Sequence, residues 1–292
     1  MKLDKYRGVI PAFYACYDGD GAVSRDAARR LTRYFVEQGV KGVYVGGSSG
    51  ECIYQSVEDR KKTLEAVMEE GAGRLTVIAH VACNNTKDSQ ELAAHAAKLG
   101  VDAIAAIPPI YFKLPEYSVA GYWNDISAAA PDTDFIIYNI PQLAGTALTM
   151  SLLKTMLLNP QVAGVKNSSM PVQDIQMFKA EAMGTRDDFI VFNGPDEQLV
   201  SGLAMGADAV AIASAALIAA ACQQYRICGT GMCPVGVATQ DGDLRRRLPE
   251  EAAAMRVANF LQVSLDDIHD MDVDDLCTIN REISEFTNIS HA

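Results

Sequence analysis

The sequence lacks the features that mark membrane-spanning and secreted proteins. No stretch reaches the roughly 18 apolar residues that a bilayer-spanning helix requires, although Ala209 to Cys222 is apolar except for Ser214. The first residues, Met1-Lys2-Leu3-Asp4-Lys5, contain no apolar segment of the kind that directs secretion. We therefore expect a cytosolic protein.

Positive charge is scarce as well. The chain has 25 Lys and Arg against 37 Asp and Glu, for a formal net charge of −12, and its one basic cluster is Arg245-Arg246-Arg247. Nucleic acids and anionic membrane surfaces are bound by basic surfaces. The composition therefore argues against both as the main partner and favours a small-molecule ligand.

The cysteines do not resemble a disulfide framework. There are 7 of them in 292 residues, an odd number in a long chain. In a reducing compartment such cysteines are free thiols or metal ligands.

The sequence does contain a regular alternation of short apolar runs and helical stretches, which is typical of βα units around a parallel sheet. Near-continuous apolarity within the runs indicates strands that are covered on both faces. Eight strands are predicted, at Gly8 to Tyr14, Gly42 to Val45, Thr76 to His80, Ala103 to Ile107, Phe135 to Asn139, Val162 to Lys166, Phe189 to Asn193 and Ala209 to Ala213.

A weak internal repeat supports this reading. Gly39, Gly100 and Gly206 each resemble the glycine that ends a helix and leads into a strand. Their spacing fits units of about 25 to 30 residues, and eight such units predict an α/β fold, a (β/α)8 TIM barrel with a helical C-terminal appendage. A doubly wound open sheet is the alternative, because spacing does not reveal closure.

The prediction divides the chain into a barrel over residues 1–221 and an appendage over residues 222–292. The appendage begins with a Gly- and Cys-rich loop from Cys222 to Gln240. Two helices are predicted after it, over Asp243 to Val263 and Val273 to Phe286, because Asp241 and Asp272 are suitable start signals.

Reactive residues occur where predicted strands end, which is where barrel enzymes place their active sites. Strand six ends at Lys166 after four apolar residues, and strand five ends in Tyr138-Asn139-Ile140-Pro141. Desolvation favours the uncharged amine, so Lys166 is a candidate nucleophile for Schiff-base chemistry, and the Tyr138 phenol could transfer protons. The alternative is a lysine that reaches the barrel rim or pairs with a carboxylate.

Two further strand ends carry polar groups. Strand two ends in Gly46-Gly47-Ser48-Ser49-Gly50-Glu51, whose N–H and hydroxyl groups could bind an anion, although such a turn is as often structural. Strand seven ends in Asn193-Gly194-Pro195-Asp196-Glu197, where two acids could bind a polyol or cap the next helix.

These motifs resemble the N-acetylneuraminate lyase and dihydrodipicolinate synthase family of Schiff-base aldolases, from Tyr6 to about Asp208. The resemblance implies that Lys166 forms an imine with pyruvate, that Tyr138 transfers the proton, and that Tyr111 reaches a neighbouring subunit's site. It also implies a carboxylate held by Ser48 and Ser49. The residues implied to face sugar hydroxyls are Ser168, Gly194, Asp196 and Glu197.

The resemblance also implies a substrate branch and a homo-oligomer. Synthases carry an Arg two residues after the Pro of the Tyr-Asn-x-Pro motif, and Leu143 stands there in this chain. An amino-sugar keto acid is therefore favoured. Strand eight departs from the family, because Ile212 and Ala213 replace a Gly and a hydroxyl residue that would contact the sugar.

The C-terminal part resembles a different family, the flavin-binding domain of glutamate synthases. Cys222, Cys228 and Cys233 form a C-x5-C-x4-C pattern, which in that family ligates a three-iron cluster. The resemblance implies a 3Fe-4S-capable loop, and bare thiols are the alternative. Flavin (FMN) binding is not expected, since only one strand of the flavin barrel is present.

Three functions remain open at this point. The first is a pyruvate-dependent lyase that needs no cofactor and joins or cleaves pyruvate and an amino sugar. The second is an iron–sulfur or flavin redox fragment. The third is a folded chimera with little activity, because strand eight and the C-terminal helices differ from those of the aldolases.

Overall fold

A computed structural model describes residues 3–186, 188–225, 227–249, 251–253 and 255–256. It divides into two compact units, Met1–Ala211 and Ile212–Ala292. The first unit contains all eight strands: β1 (Gly8–Val9), β2 (Gly42–Val45), β3 (Thr76–His80), β4 (Ala103–Ala106), β5 (Asp134–Asn139), β6 (Val162–Asn167), β7 (Ile190–Asn193) and β8 (Ala209–Val210).

The strands form one parallel sheet that closes on itself. Their order is β1-β8-β7-β6-β5-β4-β3-β2, so consecutive strands pair from β2 to β8, and β1 pairs with β8. The remaining seam is joined by a parallel bridge from Ala12 to Tyr44, where the Phe13 N–H donates to the Tyr44 carbonyl at 2.9 Å. The predicted (β/α)8 barrel is confirmed, and the open sheet is excluded.

Two strands end several residues earlier than predicted, and four others differ from the prediction by one residue at one end. The first strand is predicted to reach Tyr14, but β1 ends at Val9 and the chain then changes partner from β8 to β2. Pro11 lies at this change and has no N–H to offer a ladder. The eighth strand is predicted to reach Ala213, but β8 ends at Val210.

Helices alternate with the strands of the first unit. They are α1 (Arg25–Glu37), α2 (Val57–Gly71), α3 (Thr86–Leu99), α4 (Glu116–Ala128), α5 (Pro141–Ala144), α6 (Met150–Met156), α7 (Gln173–Met183) and α8 (Leu199–Ala204). The first three begin at side-chain caps, because Ser24, Ser56 and Asn85 accept backbone N–H bonds three residues ahead.

The three glycines of the internal repeat lie where helices give way to strands. Gly39, Gly100 and Gly206 have φ of 72°, 79° and 91°, a region that side chains with a Cβ rarely adopt. The repeat therefore corresponds to a recurring αL turn, and the prediction based on it is confirmed.

Side chains fill the barrel interior. The buried cluster includes Tyr6, Ile10, Tyr44, Ile78, Ile136, Tyr138, Ile190 and Phe192. At the amino ends of the strands, the Tyr6 hydroxyl lies 2.7 Å from the Asp102 carbonyl and 2.8 Å from an Asp134 carboxylate oxygen. The reactive ends of the strands are thus opposite a packed and hydrogen-bonded floor.

The second unit contains α9 (Ser214–Ala219) and α10 (Gly242–Arg245) among its described residues. It begins at Ile212, earlier than the boundary predicted at residue 221. The helix predicted over 243–263 is interrupted after Arg245 by turn residues, and the one predicted over 273–286 lies outside the described residues. No described helix has the length and apolarity to cross a bilayer.

Candidate active site

Lys166 lies inside the barrel, near the carboxyl end of β6, and its residue is only 6% exposed. Its Nζ lies 4.0 Å from the centroid of the Tyr44 ring and 4.3 Å from that of the Tyr138 ring. Among the described residues no carboxylate forms an ion pair with it. Lys166 therefore does not lie on the barrel rim, and no carboxylate among the described residues pairs with it, so neither form of the alternative interpretation is seen in the described part of the chain.

Tyr138 lies beside Lys166 because β5 and β6 pair these two residues directly. The Tyr138 side chain is buried, and its ring meets the His80 ring edge-to-face at 5.8 Å and 89°. Sheet register alone thus places a phenol next to the amine, as the sequence predicts.

Two buried rings beside this pair, Tyr44 on β2 and His80 on β3, were not singled out from the sequence. Tyr44 is buried, its hydroxyl makes no hydrogen bond within the described residues, and its ring lies 5.5 Å from that of Tyr138. Burial, together with the neighbouring Tyr138 phenol, raises the pKa of Tyr44 well above its usual value. A polar side chain inside a predicted apolar strand was the available signal in both cases.

The turn after β2 is fixed at both ends. The Gly46 carbonyl lies 2.8 Å from Nδ1 of His80, and the Ser49 carbonyl accepts the Ala15 N–H at 3.3 Å. Ser48 is exposed and Ser49 is half-buried, so both hydroxyls are open to a ligand. A Cβ on Gly47 would lie 2.9 Å from the Tyr44 ring, which explains the glycine there. We call residues 46–51 the anion turn.

An asparagine row stabilises the ends of three neighbouring strands. Asn139, Asn167 and Asn193 share one register position on β5, β6 and β7, and all three are buried. The Asn139 amide donates to the Asn167 side-chain oxygen at 2.7 Å, and Ser169 donates to the same oxygen at 2.9 Å. This row lies one residue beyond Tyr138 and Lys166 and holds their strands in register.

The predicted sugar-facing residues follow β6 and β7. Ser168 and Gly194 are adjacent, since a Cβ on Gly194 would lie 2.0 Å from the Ser168 hydroxyl oxygen. Asp196 is buried and Glu197 is exposed, in a short 3-10 turn that spans Asp196–Gln198. The two acids thus differ in environment although they are neighbours in sequence.

Tyr111 lies apart from the buried group. It follows β4, its backbone φ is +85°, and it is 89% exposed with its ring packed on Phe112 at 4.8 Å. Within one chain it is therefore a surface residue, in a backbone conformation that a tyrosine rarely adopts.

The cysteine loop gives a different result. Cys228 is exposed, Cys222 is half-buried and Cys233 is buried. No group of three or more His, Cys, Asp or Glu side chains that could hold a metal ion occurs in the part of the chain that the structure describes. The expected three-iron site at these thiols is therefore not supported, because the spacing does not bring the three sulfurs to one centre.

Comparison with known families agrees with this geometry. The model of the dihydrodipicolinate synthetase family matches residues 5–230, well over half of the chain. The chain belongs to the dihydrodipicolinate synthetase family. A second model, for a conserved region in glutamate synthase, matches residues 194–275 only.

Several members of the dihydrodipicolinate synthetase family are similar to the chain. An N-acetylneuraminate lyase of Mediterraneibacter gnavus is 71% identical over 206 residues, which are 70% of this chain and 64% of the relative. An N-acetylneuraminate lyase of Escherichia coli is 36% identical over 202 residues, 69% of this chain and 67% of the relative. The chain thus spans less than two thirds of the length of the Mediterraneibacter gnavus relative.

Solved structures extend the likeness to three dimensions. The wild-type sialic acid aldolase of Ruminococcus gnavus is 58% identical, with a TM-score of 0.69 over 86% of this chain and 79% of that chain. A catalytic lysine mutant of the same aldolase has a TM-score of 0.75 and 51% identity over 89% of this chain and 99% of that chain. The family's barrel is therefore present in this chain.

Proposed function

We propose that the protein is a pyruvate-dependent class I aldolase that cleaves N-acetylneuraminate to N-acetylmannosamine and pyruvate. The observation that carries the proposal is the buried Lys166 amine, held between two tyrosine rings with no carboxylate paired to it among the described residues. The names of the similar lyases and of the Ruminococcus gnavus aldolase support the substrate class.

The chemistry begins at the keto carbon of the substrate. The Lys166 amine adds to this carbon, and loss of water gives a protonated imine. The anion turn holds the substrate carboxylate through the Ser48 and Ser49 hydroxyls. Because the imine draws electrons from the neighbouring bonds, it supplies the electron sink that bond cleavage requires.

Cleavage then needs a base. Tyr138 gives its phenolic proton to the departing water as the imine forms, and the resulting phenolate then accepts the proton of the substrate C4 hydroxyl. The C3–C4 bond breaks, and its electron pair moves into the imine to form an enamine. N-acetylmannosamine leaves as the aldehyde. The enamine takes a proton at C3, and water hydrolyses the imine to release pyruvate and free Lys166. These steps conserve protons and electron pairs without an oxidant or a reductant, so the proposed reaction needs no cofactor.

Other residues complete the proposed site. Ser168, Gly194, Asp196 and Glu197 face the sugar hydroxyls, and Tyr111 contributes to the site of a second copy in a cytosolic homo-oligomer. The exposure of Tyr111 supports this, since a surface tyrosine is accessible to a partner. Leu143, 65% exposed, offers no charge to a second substrate carboxylate.

A direct test is the release of pyruvate from N-acetylneuraminate, with Lys166→Ala as the control. We expect turnover in the natural chain and none above background in the variant. Equal pyruvate release by both proteins would refute the role of Lys166.

A second candidate is a chimera with a pyruvate site but little turnover. The match of residues 194–275 to a conserved region in glutamate synthase favours it, together with Ile212 and Ala213 in place of polar sugar contacts. The splice would lie near Gly206-Ala207-Asp208. This candidate predicts trapping of pyruvate on Lys166 by borohydride without measurable cleavage of N-acetylneuraminate.

A further inference from the structure

His80 is a buried polar residue, only 4% exposed, between the anion turn and the reactive aromatic rings. Its Nδ1 lies 2.8 Å from the Gly46 carbonyl oxygen, and its ring lies edge-to-face with Tyr138. Buried polar side chains cost free energy unless they are hydrogen-bonded, so a histidine at this point of an apolar strand calls for a specific partner.

The surroundings of His80 define its protonation state. The Ile107 N–H points at Nε2 from 3.4 Å, and Nδ1 faces both the Arg60 Nη2 donor at 3.4 Å and the Gly46 carbonyl oxygen at 2.8 Å. Because the carbonyl oxygen only accepts and is the nearer of the two, we assign the proton to Nδ1, which donates it to Gly46. Burial, with the positive charges of Arg60 and Lys166, holds the pKa of His80 well below its usual value. The phenols of Tyr44 and Tyr138 complete the set of titratable groups around the ring. These contacts and the direction of the pKa shift favour a neutral imidazole with its proton on Nδ1.

The position of His80 is itself fixed from α2. Buried Arg60 donates from Nη2 to the His80 carbonyl at 2.7 Å and from Nη1 to the Ala82 carbonyl at 2.8 Å. These bonds clamp the carboxyl end of β3. The imidazole is thus a rigid donor, and the Gly46 carbonyl that it holds begins the anion turn.

We propose that His80 is the positioning residue of the anion turn: its Nδ1–H holds the Gly46 carbonyl and so keeps the Ser48 and Ser49 donors aligned for the carboxylate of pyruvate bound to Lys166. This inference rests on the proposed function. Gly46 has a φ of +69°, a conformation that glycine leaves readily when nothing holds it. A turn that must be ordered before it binds an anion binds it less tightly, because ordering consumes part of the binding free energy.

Two substitutions of His80 distinguish the contribution of Nδ1 from that of Nε2. In His80→Asn the amide nitrogen can take the place of Nδ1 and keep the bond to Gly46, whereas in His80→Gln the amide reaches the place of Nε2 instead. The measurement is the pyruvate concentration that gives half-maximal borohydride trapping on Lys166. We expect it to rise about tenfold in His80→Gln and less than about threefold in His80→Asn, as for loss of one hydrogen bond.

The rate of trapping at saturating pyruvate is the second readout, and we expect it to stay within about twofold of the natural chain in both variants, because aligned donors act on binding. His95→Asn on α3, remote from the anion turn, is the matched control and should change neither quantity. Equal shifts in His80→Asn and His80→Gln, or no shift in His80→Gln, would overturn the inference. Absence of trapping in the natural chain would instead refute the proposed function.

If the variants fail to fold, a measurement on the unaltered chain still tests whether Nδ1 of His80 carries the proton. Nitrogen-15 NMR of the 4 histidines distinguishes the neutral Nδ1–H form from the Nε2–H form and the cation. We expect one histidine to remain neutral with its proton on Nδ1 across about pH 5 to 8, the range in which an ordinary histidine gains its second proton. An Nε2–H form at His80, whose unprotonated Nδ1 has no hydrogen to give, would exclude donation to Gly46 and overturn the inference.

Discussion

The lysine site and the cysteine loop differ in whether the reactive residues predicted from the sequence lie close together in the structure. In both, the sequence places reactive residues at a suggestive spacing. At the lysine site, Lys166, Tyr138, Tyr44 and His80 come from four different strands and meet within a few ångströms. In the cysteine loop, three thiols within twelve residues of one another form no metal-holding group among the described residues.

The difference shows what holds reactive side chains together. Strand residues are located by sheet register: β5 and β6 pair Tyr138 with Lys166, so their separation follows from the backbone hydrogen bonds. A loop has no such register, and its side chains converge only where a ligand or a dense set of contacts brings them together. Sequence spacing is thus strong evidence in a barrel strand and weak evidence in a loop.

The largest expected effect tests the phenol at the lysine site. Tyr138→Phe keeps the ring beside Lys166 and removes only the hydroxyl. We expect cleavage of N-acetylneuraminate to slow by about 10²- to 10⁴-fold, the range typical of a lost proton-transfer group. Steady-state pyruvate release measures it, with the exposed Tyr117→Phe as control. A loss below threefold would mean that another group transfers the proton.

A smaller effect is expected from added bulk in the anion turn. The new methyl of Gly47→Ala would lie 2.9 Å from the Tyr44 ring, which in turn packs on Lys166. We expect a loss of about 1–3 kcal/mol in unfolding free energy, as for other overpacked sites. Urea denaturation measures it.

Gly121→Ala on α4 is the control for this substitution, because its methyl would meet nothing within 4 Å. Alanine is the better helix former, so we expect a gain of about 0.5–1 kcal/mol. Equal effects of the two substitutions would mean that contact with Tyr44 does not constrain the turn.

We expect burial of the Lys166 amine to lower the free energy of unfolding. Lys166→Met replaces an amine that has no carboxylate partner among the described residues by an apolar side chain of similar length. We expect unfolding free energy to rise by about 1 kcal/mol while trapping of pyruvate is lost, because burial of a polar group without an ion-pair partner is unfavourable. Thermal denaturation measures it. Lys154→Met, at a 62% exposed side chain, should change neither quantity, and a destabilised Lys166→Met would show that the amine has stabilising partners.

The smallest effect is expected in the cysteine loop. Replacement of Cys222, Cys228 and Cys233 by Ser should leave visible absorption, iron content and pyruvate trapping unchanged, since no metal-holding group joins them in the described chain. Iron analysis of protein prepared without oxygen measures it. Bound iron that disappears with the triple substitution would restore the iron–sulfur interpretation and break the contrast with the lysine site.

The sequence predicted the barrel and the adjacency of Tyr138 and Lys166, for physical reasons. Strands β2 and β3 begin and end at the predicted residues, because apolar runs bounded by turn residues allow few alternatives. Lys166 and Tyr138 were found because both stand near strand ends.

Tyr44 and His80 were missed because their roles depend on which strands become neighbours and on where side chains point. Neither can be read from one strand at a time. The change of partner at Pro11 was missed for the same reason, since it reflects barrel closure rather than local pattern. The iron–sulfur prediction for the cysteine loop rested on a family resemblance in the C-x5-C-x4-C pattern and its flanking sequence. It is not supported, because a loop has no strand register that fixes where its side chains converge.

The central claim is that Lys166 is the amine that forms a Schiff base with pyruvate. Incubation of the whole chain with pyruvate and borohydride, followed by intact mass and peptide mapping, tests it most directly. We expect a single reduced pyruvyl adduct on the peptide that contains Lys166 and no adduct in Lys166→Ala. A folded natural chain that remains unmodified, or one modified at another lysine, would contradict it.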